Sequence, residues 1–137
     1  MSLTEEDLRE YLGAWNAHDA ERIVTYFTDD AKYEDVAMGQ VSIGKDEIRE
    51  FAQSMFRSTP DVNFELLSLF VTGDSIASEW VMTGTQTGDM PGLPATGRSF
   101  SIRGASVGEL AGDKIKRNSD YWSLASLLQQ LGVLPTS

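Results

Sequence analysis

The chain has 137 residues, with 21 acidic against 11 basic side chains and a net charge of −10. That balance repels a phosphate backbone and argues against a nucleic-acid partner, while fitting solubility or a high-salt habitat. Hydrophobic residues make up 41% of the chain, too many for disorder, yet no apolar run approaches the roughly 20 residues that cross a bilayer. Without a cysteine, thiol catalysis, disulfides and thiolate metal sites are excluded. The start, MSLTEEDLRE, lacks the basic and apolar regions of a signal peptide, so a cytoplasmic location is expected. The length predicts one domain covering residues 1–137.

Thr4 is a good N-cap, with Asp7 three residues on and Leu3 and Leu8 in the hydrophobic-staple positions. Leu8, Tyr11, Leu12 and Trp15 follow at helical spacing as an inward stripe. Asn16-Ala17-His18-Asp19 breaks this helix, and Asp19 is placed to cap a second one with Ala20, Ile23, Val24 and Phe27 as its apolar face. His18, the one histidine, is expected to be solvated in the turn. Ala31 to Val36 reads as a short strand. A third helix starts after Gly44, with Asp46 and Glu47 near the positive end of its dipole. Its inward stripe is Ile48, Phe51, Ala52 and Met55, and Pro60 ends it.

From about Val62 the period becomes strand-like. Phe64 to Val71, Ile76 to Thr83, Ser99 to Leu110 and Lys114 to Trp122 are predicted strands, with turns at Gly73-Asp74 and Gly112-Asp113. Trp80 to Arg98, WVMTGTQTGDMPGLPATGR, is the most informative stretch. A strand breaks into a long connection punctuated by two prolines and four glycines, with Met90 and Leu93 arguing for order. Long ordered connections are usually functional, and a hairpin loop without chemistry is the plainer alternative. Within Ser99 to Leu110 the apolar parity slips at Gly104, predicting a bulge there. Leu124, Leu127, Leu128 and Leu131 make a short last helix, closed by Gly132.

Helices first and antiparallel strands after predict an α+β fold. Its form is a cone, a curved antiparallel sheet wrapped by three N-terminal helices, with a short C-terminal helix. Such a cone encloses a cavity, and an apolar cavity with a few convergent polar groups is the default ligand site.

Four polar residues are candidates to point into it. Asp35, in YEDVAMG, is either a strand-end turn residue or a carboxylate among apolar groups, whose raised pKa would suit proton transfer near neutral pH. Asp120 lies mid-strand on one face with Lys116, Asn118 and Trp122, where Asp is disfavoured. It faces a pocket and is catalytic, or it faces water or an Arg. Tyr11 on the first helix is a packed core phenol or a donor to a carbonyl or enolate oxygen. Arg103 binds an anionic group or pairs with a surface acid across strands. No nucleophile elbow, dinucleotide fingerprint or phosphate loop is present. Chemistry on carboxylates, hydroxyls and water is expected, with no metal and no cofactor.

WVMTGTQTGDMPGLPATGRSFSIRG followed by GDKIKRNSDYWSLASLLQQLG resembles the C-terminal half of SnoaL-like polyketide cyclases. YLGAWNAHDAERIVTYFTDDAKYEDVAMG and GKDEIREF are similar to both those cyclases and ketosteroid isomerases, within the nuclear transport factor two-like superfamily. The resemblance implies an intramolecular aldol closure with an aspartate as acid/base, and Asp120 is the position that best matches it. Many relatives carry an acid just after the aromatic pair, where this chain has Ser123. Ketosteroid isomerases imply Tyr11 and Asp35 as site residues, and the place of their second, protonated Asp falls on Ala105. The Arg-x-Asp part of limonene epoxide hydrolases is missing from the Trp80 strand.

The expected catalytic residues are therefore Asp120, Asp35 and Tyr11. Trp15, Tyr33, Met55, Trp80, Met90, Arg103 and Trp122 are expected to bind substrate. The expected partners are a small apolar ketone-like ligand and a second copy of the chain, paired through the outer sheet face. The expected activity is that of a cyclase or isomerase; the alternative is a non-catalytic binding or interaction module of the same fold.

Overall fold

The structure, a computed structural model, describes residues 3–135; Met1, Ser2, Thr136 and Ser137 of the expected domain lie outside the described residues. The N-terminal signals fold as their chemistry dictates. The Thr4 N–H donates to Asp7 Oδ2 (2.9 Å) and the Asp7 N–H to Thr4 Oγ1 (3.1 Å), closing a capping box on α1, Glu5–Asn16. Asp19 caps α2, Ala20–Val24, by accepting from the Arg22 N–H at 3.0 Å. Each such cap stabilises its helix by about 1 kcal/mol. Strands β1, Phe27–Asp35, and β2, Gln40–Ile43, lead into α3, Gly44–Ser58. Then come β3, Asn63–Thr72, β4, Ser75–Thr85, β5, Ser99–Ala111, β6, Lys114–Trp122, and α4, Leu124–Gln130. The expected turns at Gly73 and Gly112 adopt φ of +58° and +62°, a region that glycine enters without strain.

All six strands form one sheet in the order β2-β1-β6-β5-β4-β3. Every neighbouring pair is antiparallel except β1 with β6, which run parallel. The three N-terminal helices and α4 cover the inner face, giving the expected α+β cone. One core cluster joins α1, α2 and α3 to β1 and β6 through Trp15, Ile23, Phe27, Ile48 and Ile115. A second gathers Val62, Trp80, Met82, Phe100, Ile102 and Leu127 at the end where α4 docks.

Four sequence expectations are corrected by the fold. Phe27 opens β1 instead of closing α2. It is fully buried and pairs with Ile115 of β6, so strand pairing overrides its helical spacing from Ile23. Strand β2 was not expected; four residues with Val41 and Ile43 exposed are too short to show a period. Gly104 is not a bulge, because the β4–β5 register runs unbroken from Thr85↔Ser99 to Ser75↔Glu109. The register shifts fall elsewhere, between Phe27 and Lys32 of β1, between Leu66 and Ser68 of β3, and where Glu109 and Leu110 meet β6.

The apparent parity slip has a packing cause. Gly104, Ser106 and Gly108 continue the inward face of Phe100 and Ile102 but are small, so the outward Ala105 and Val107 look like the apolar set. A Cβ at Gly104 would lie 2.3 Å from the Trp80 ring. The indole lies against bare backbone. Arg103, outward and 70% exposed in its side chain, sits 3.8 Å from Glu79 on β4. It pairs with a surface acid and lies outside the cavities, correcting its expected substrate contact.

Gly104→Ala is expected to lose about 1–3 kcal/mol in urea unfolding, because the Trp80 ring must move. Unchanged stability and unchanged near-ultraviolet circular dichroism would show that the indole does not depend on this glycine.

Candidate active site

The parallel pairing of β1 with β6 places Asp35 directly beside Asp120. Both are buried, at 5% and 9% exposure. Asp120 Oδ1 accepts from the Ser106 hydroxyl at 2.6 Å and from Asn118 Nδ2 at 2.9 Å. Its Oδ2 accepts from the Tyr33 hydroxyl. Trp80 Nε1–H donates to Ser106 Oγ at 2.9 Å, which turns the serine's own proton toward Asp120. Asp35 Oδ1 accepts from Trp122 Nε1 at 3.0 Å and from the Met38 N–H at 3.3 Å.

Burial pushes the Asp35 carboxyl up to about 6, and the neighbouring Asp120 charge adds to the shift. The hydrogen bonds from Met38 and Trp122 work against it. Asp120 is raised by burial too, with Ser106, Tyr33 and Asn118 opposing the shift. Burial also lifts the phenols of Tyr33 and Tyr11 above their usual range. Both therefore stay protonated and able to donate.

Two cavities meet here. The first, with about 100 Å³ open to the centres of water molecules, lies between α1 and the inner sheet face. Asp35, Asp120, Tyr11, Trp15, Tyr33 and Trp80 all line it, and Met55 and Trp122 stand at its side. The second, about 70 Å³ by the same measure, lies between α3, α4 and the long connection. Met90 lines this second cavity and not the one holding Asp120, which corrects its expected place. The long connection is ordered as expected. Its organiser is Gln86, a fully buried side chain that donates to Leu93 O and Pro94 O and accepts from the Thr96 N–H and hydroxyl.

Sequence reasoning missed Ser106 and Gln86. Ser106 was detectable as the next inward position after Gly104, whereas Gln86 reads as an ordinary polar strand end. The alternation puts Asn118 on the face of Asp120 but gives it no role. Lys116 leaves that face, exposed beside Glu109 at the irregular β5–β6 step. Ser123 is an N-cap, accepting from the Ser126 N–H at 3.1 Å to start α4. Ala105 lies on the outer face with Arg103 and Val107. His18 is not free in solvent as expected: half-buried, it stacks on Phe56 at 4.6 Å, and its Nε2 lies 2.7 Å from Val62 O. Among the described residues no helix is long and apolar enough to cross a membrane.

A cone of α+β architecture with a paired-carboxylate cavity defines a small-molecule-binding class, and comparison narrows it. The profile of the SnoaL-like polyketide cyclase family matches residues 6–131, and the chain belongs to that family. It is 30% identical over 119 residues to the cyclase aurE of Calcarisporium arbuscula, covering 83% of this chain and 85% of that one. A Catenulispora acidiphila protein with a ketosteroid isomerase-like fold, solved with trimethylamine, superposes with a TM-score of 0.85 at 24% identity, over 96% of this chain and 95% of that one. TsrD of Streptomyces laurentii gives a TM-score of 0.84 at 23% identity, over 97% of this chain and all (100%) of that one. These two structures speak for the fold.

Both carboxyls sit above their ordinary 3.8, so the folded chain holds these protons more tightly than the unfolded chain. For Asp35 the stability this contributes is present below about pH 4 and is lost as pH rises through about 6. Asp35→Asn is therefore expected to be more stable than the parent at pH 7, by up to about 3 kcal/mol, with the gap closing near pH 4. Urea unfolding at both pH values checks this, and a variant no more stable at pH 7 would contradict it.

Proposed function

We propose that the chain is a cofactor-independent cyclase or isomerase that uses aspartate acid–base chemistry on a ketone-bearing, polyketide- or steroid-like substrate. The observation that carries this is the pair Asp35 and Asp120, side by side in an apolar cavity and both raised toward neutral pH. The family assignment and the likeness to a cyclase support the same reading.

In the proposed reaction the Asp120 carboxylate takes a proton from the carbon alpha to a ketone. The C–H electron pair moves onto the carbonyl, and the Tyr11 phenol donates a hydrogen bond to the enolate oxygen. For ring closure, the enolate carbon attacks a second carbonyl of the same molecule. Asp35 in its protonated form, accessible at neutral pH with a pKa of about 6, gives its proton to the new alkoxide, and the proton held by Asp120 then passes to the Asp35 carboxylate beside it, restoring both groups. For isomerisation, the proton on Asp120 goes back to a different carbon. Trp15, Tyr33, Trp80 and Trp122 form the walls that hold the substrate and exclude water.

A second reading, a binding module without chemistry, is favoured by one feature. Three donors already occupy Asp120, as they would in a purely structural polar cluster. Exchange of the α-protons of 2-tetralone in D2O, followed by NMR, separates the readings. The wild type is expected to accelerate exchange over buffer, and Asp120→Asn to lose about 10²–10⁴-fold of that rate. Binding without acceleration, or an Asp120→Asn variant as fast as the parent, would leave the binding module.

The proposal includes a homodimer through the outer sheet face. Phe70, Val107 and Tyr121, exposed by 62%, 42% and 48%, support it as apolar groups on that face. Val107→Asp is expected to sediment as a monomer where the parent sediments as a dimer; a parent already monomeric would refute the pairing.

A further inference from the structure

The two cavities share a wall. Asp35, Met55, Met82 and Trp122 line both, so a partition one side chain thick separates them. Two of those four are methionines, unbranched and with three rotatable bonds, which rearrange at low cost. Met55 and Trp122 are half-buried although they point inward, because each faces open space on two sides. The indole of Trp122 is tethered by its bond to Asp35 Oδ1. The partition therefore yields at the methionines and keeps the carboxylate in place.

The second cavity is apolar in its depth, through Val62, Phe100 and Leu127. Its roof is built to stay put. Met90 and Leu93 exchange backbone hydrogen bonds at 2.9 Å in both directions, and Gln86 ties the connection together from beneath. Backbone bonds from Gln86 N to Arg98 O (2.9 Å) and from Gly97 N to Gln86 O (2.8 Å) close its neck. A fixed roof over an unfilled apolar space suits a ligand group, since a connection with no such role would collapse into it. No Lys, Arg or His lines either cavity among the described residues, so neither recognises an anion.

We infer that the two cavities are the two arms of one site for a neutral, elongated ketone. Its reacting head lies beside Asp120 in the first arm, and an apolar extension passes Met55 and Met82 into the second. The placement of the head rests on the proposed acid–base function; the second arm as a subsite rests on the shared walls and the roof. It makes the long connection a specificity element, remote from the proton transfer.

The test compares 2-tetralone with 6-butyl-2-tetralone by calorimetric titration. The butyl compound is expected to bind wild type at least about tenfold more tightly, as four methylene-sized groups leave water. Ser54, half-buried on α3 at the second arm, is replaced by Phe to fill that arm, with Ser54→Leu as a milder filling should the first variant lose its fold. In the filled variant the ratio of the two affinities is expected to fall close to one. A ratio near one in wild type, or one that Ser54→Phe and Ser54→Leu both leave unchanged, would overturn the second arm. The ratio is read from binding alone, so it stands or falls separately from the exchange rate of Asp120→Asn.

Discussion

Running β1 beside β6 in parallel sets two carboxylates next to each other inside an apolar cone. Their mutual repulsion and desolvation must be offset by neighbouring dipoles, and the surrounding residues supply them. Tyr33 comes from β1 itself and Asn118 from β6. Ser106 comes from β5, aimed by the Trp80 indole of β4, which in turn fits because Gly104 leaves its ring room. A glycine on the strand next to that of Asp120 thus helps, through an indole and a serine, to hold its charge. The offset is partial, since both carboxyls remain above their usual range, Asp35 at about 6.

The same cone explains why several inward side chains are only half-buried. Tyr11, Phe64, Met55 and Trp122 lie on inward stripes, packing against the core on one side and bordering the cavities on the other. Each forgoes some dispersion energy in the empty protein, which a ligand restores on binding. The fully packed residues Ile23, Phe27, Ile48 and Ile115 belong to one cluster, and Ile102, Leu127 and Leu131 to the other, where Leu127 also lines the second cavity. The two clusters stabilise the frame, leaving the space between them unfilled.

What the sequence made legible was local. The Thr4 capping box, the Asp19 cap, the glycine turns and the α3 stripe depend on residues within a few positions of one another, and all formed as read. Asp120 stood out because a carboxylate inside a strand needs a reason. The adjacency of Asp35 and Asp120 was not legible, because these residues are 85 positions apart in sequence and nothing local names a strand's neighbour. Small inward residues at 104, 106 and 108 hid the true face of β5. That misplaced the bulge.

Charge limits what the site can accept and fits the proposed chemistry. With two carboxylates in the first cavity and no basic side chain lining it among the described residues, an anionic ligand meets only repulsion. A neutral ketone enters without that cost. Its enolate is negative, which looks at first like the wrong charge to create beside Asp35. Yet in the proposed step the proton leaves carbon for Asp120, so one carboxylate would be neutralised as the enolate forms and the cavity's total charge would stay constant. The reaction then moves a charge across the cavity without adding one. The burial that raises Asp120 also favours the step, because the carboxylic acid it becomes is the form an apolar surrounding prefers. Tyr11, itself held as a phenol by burial, is left to solvate the oxygen where the displaced charge arrives.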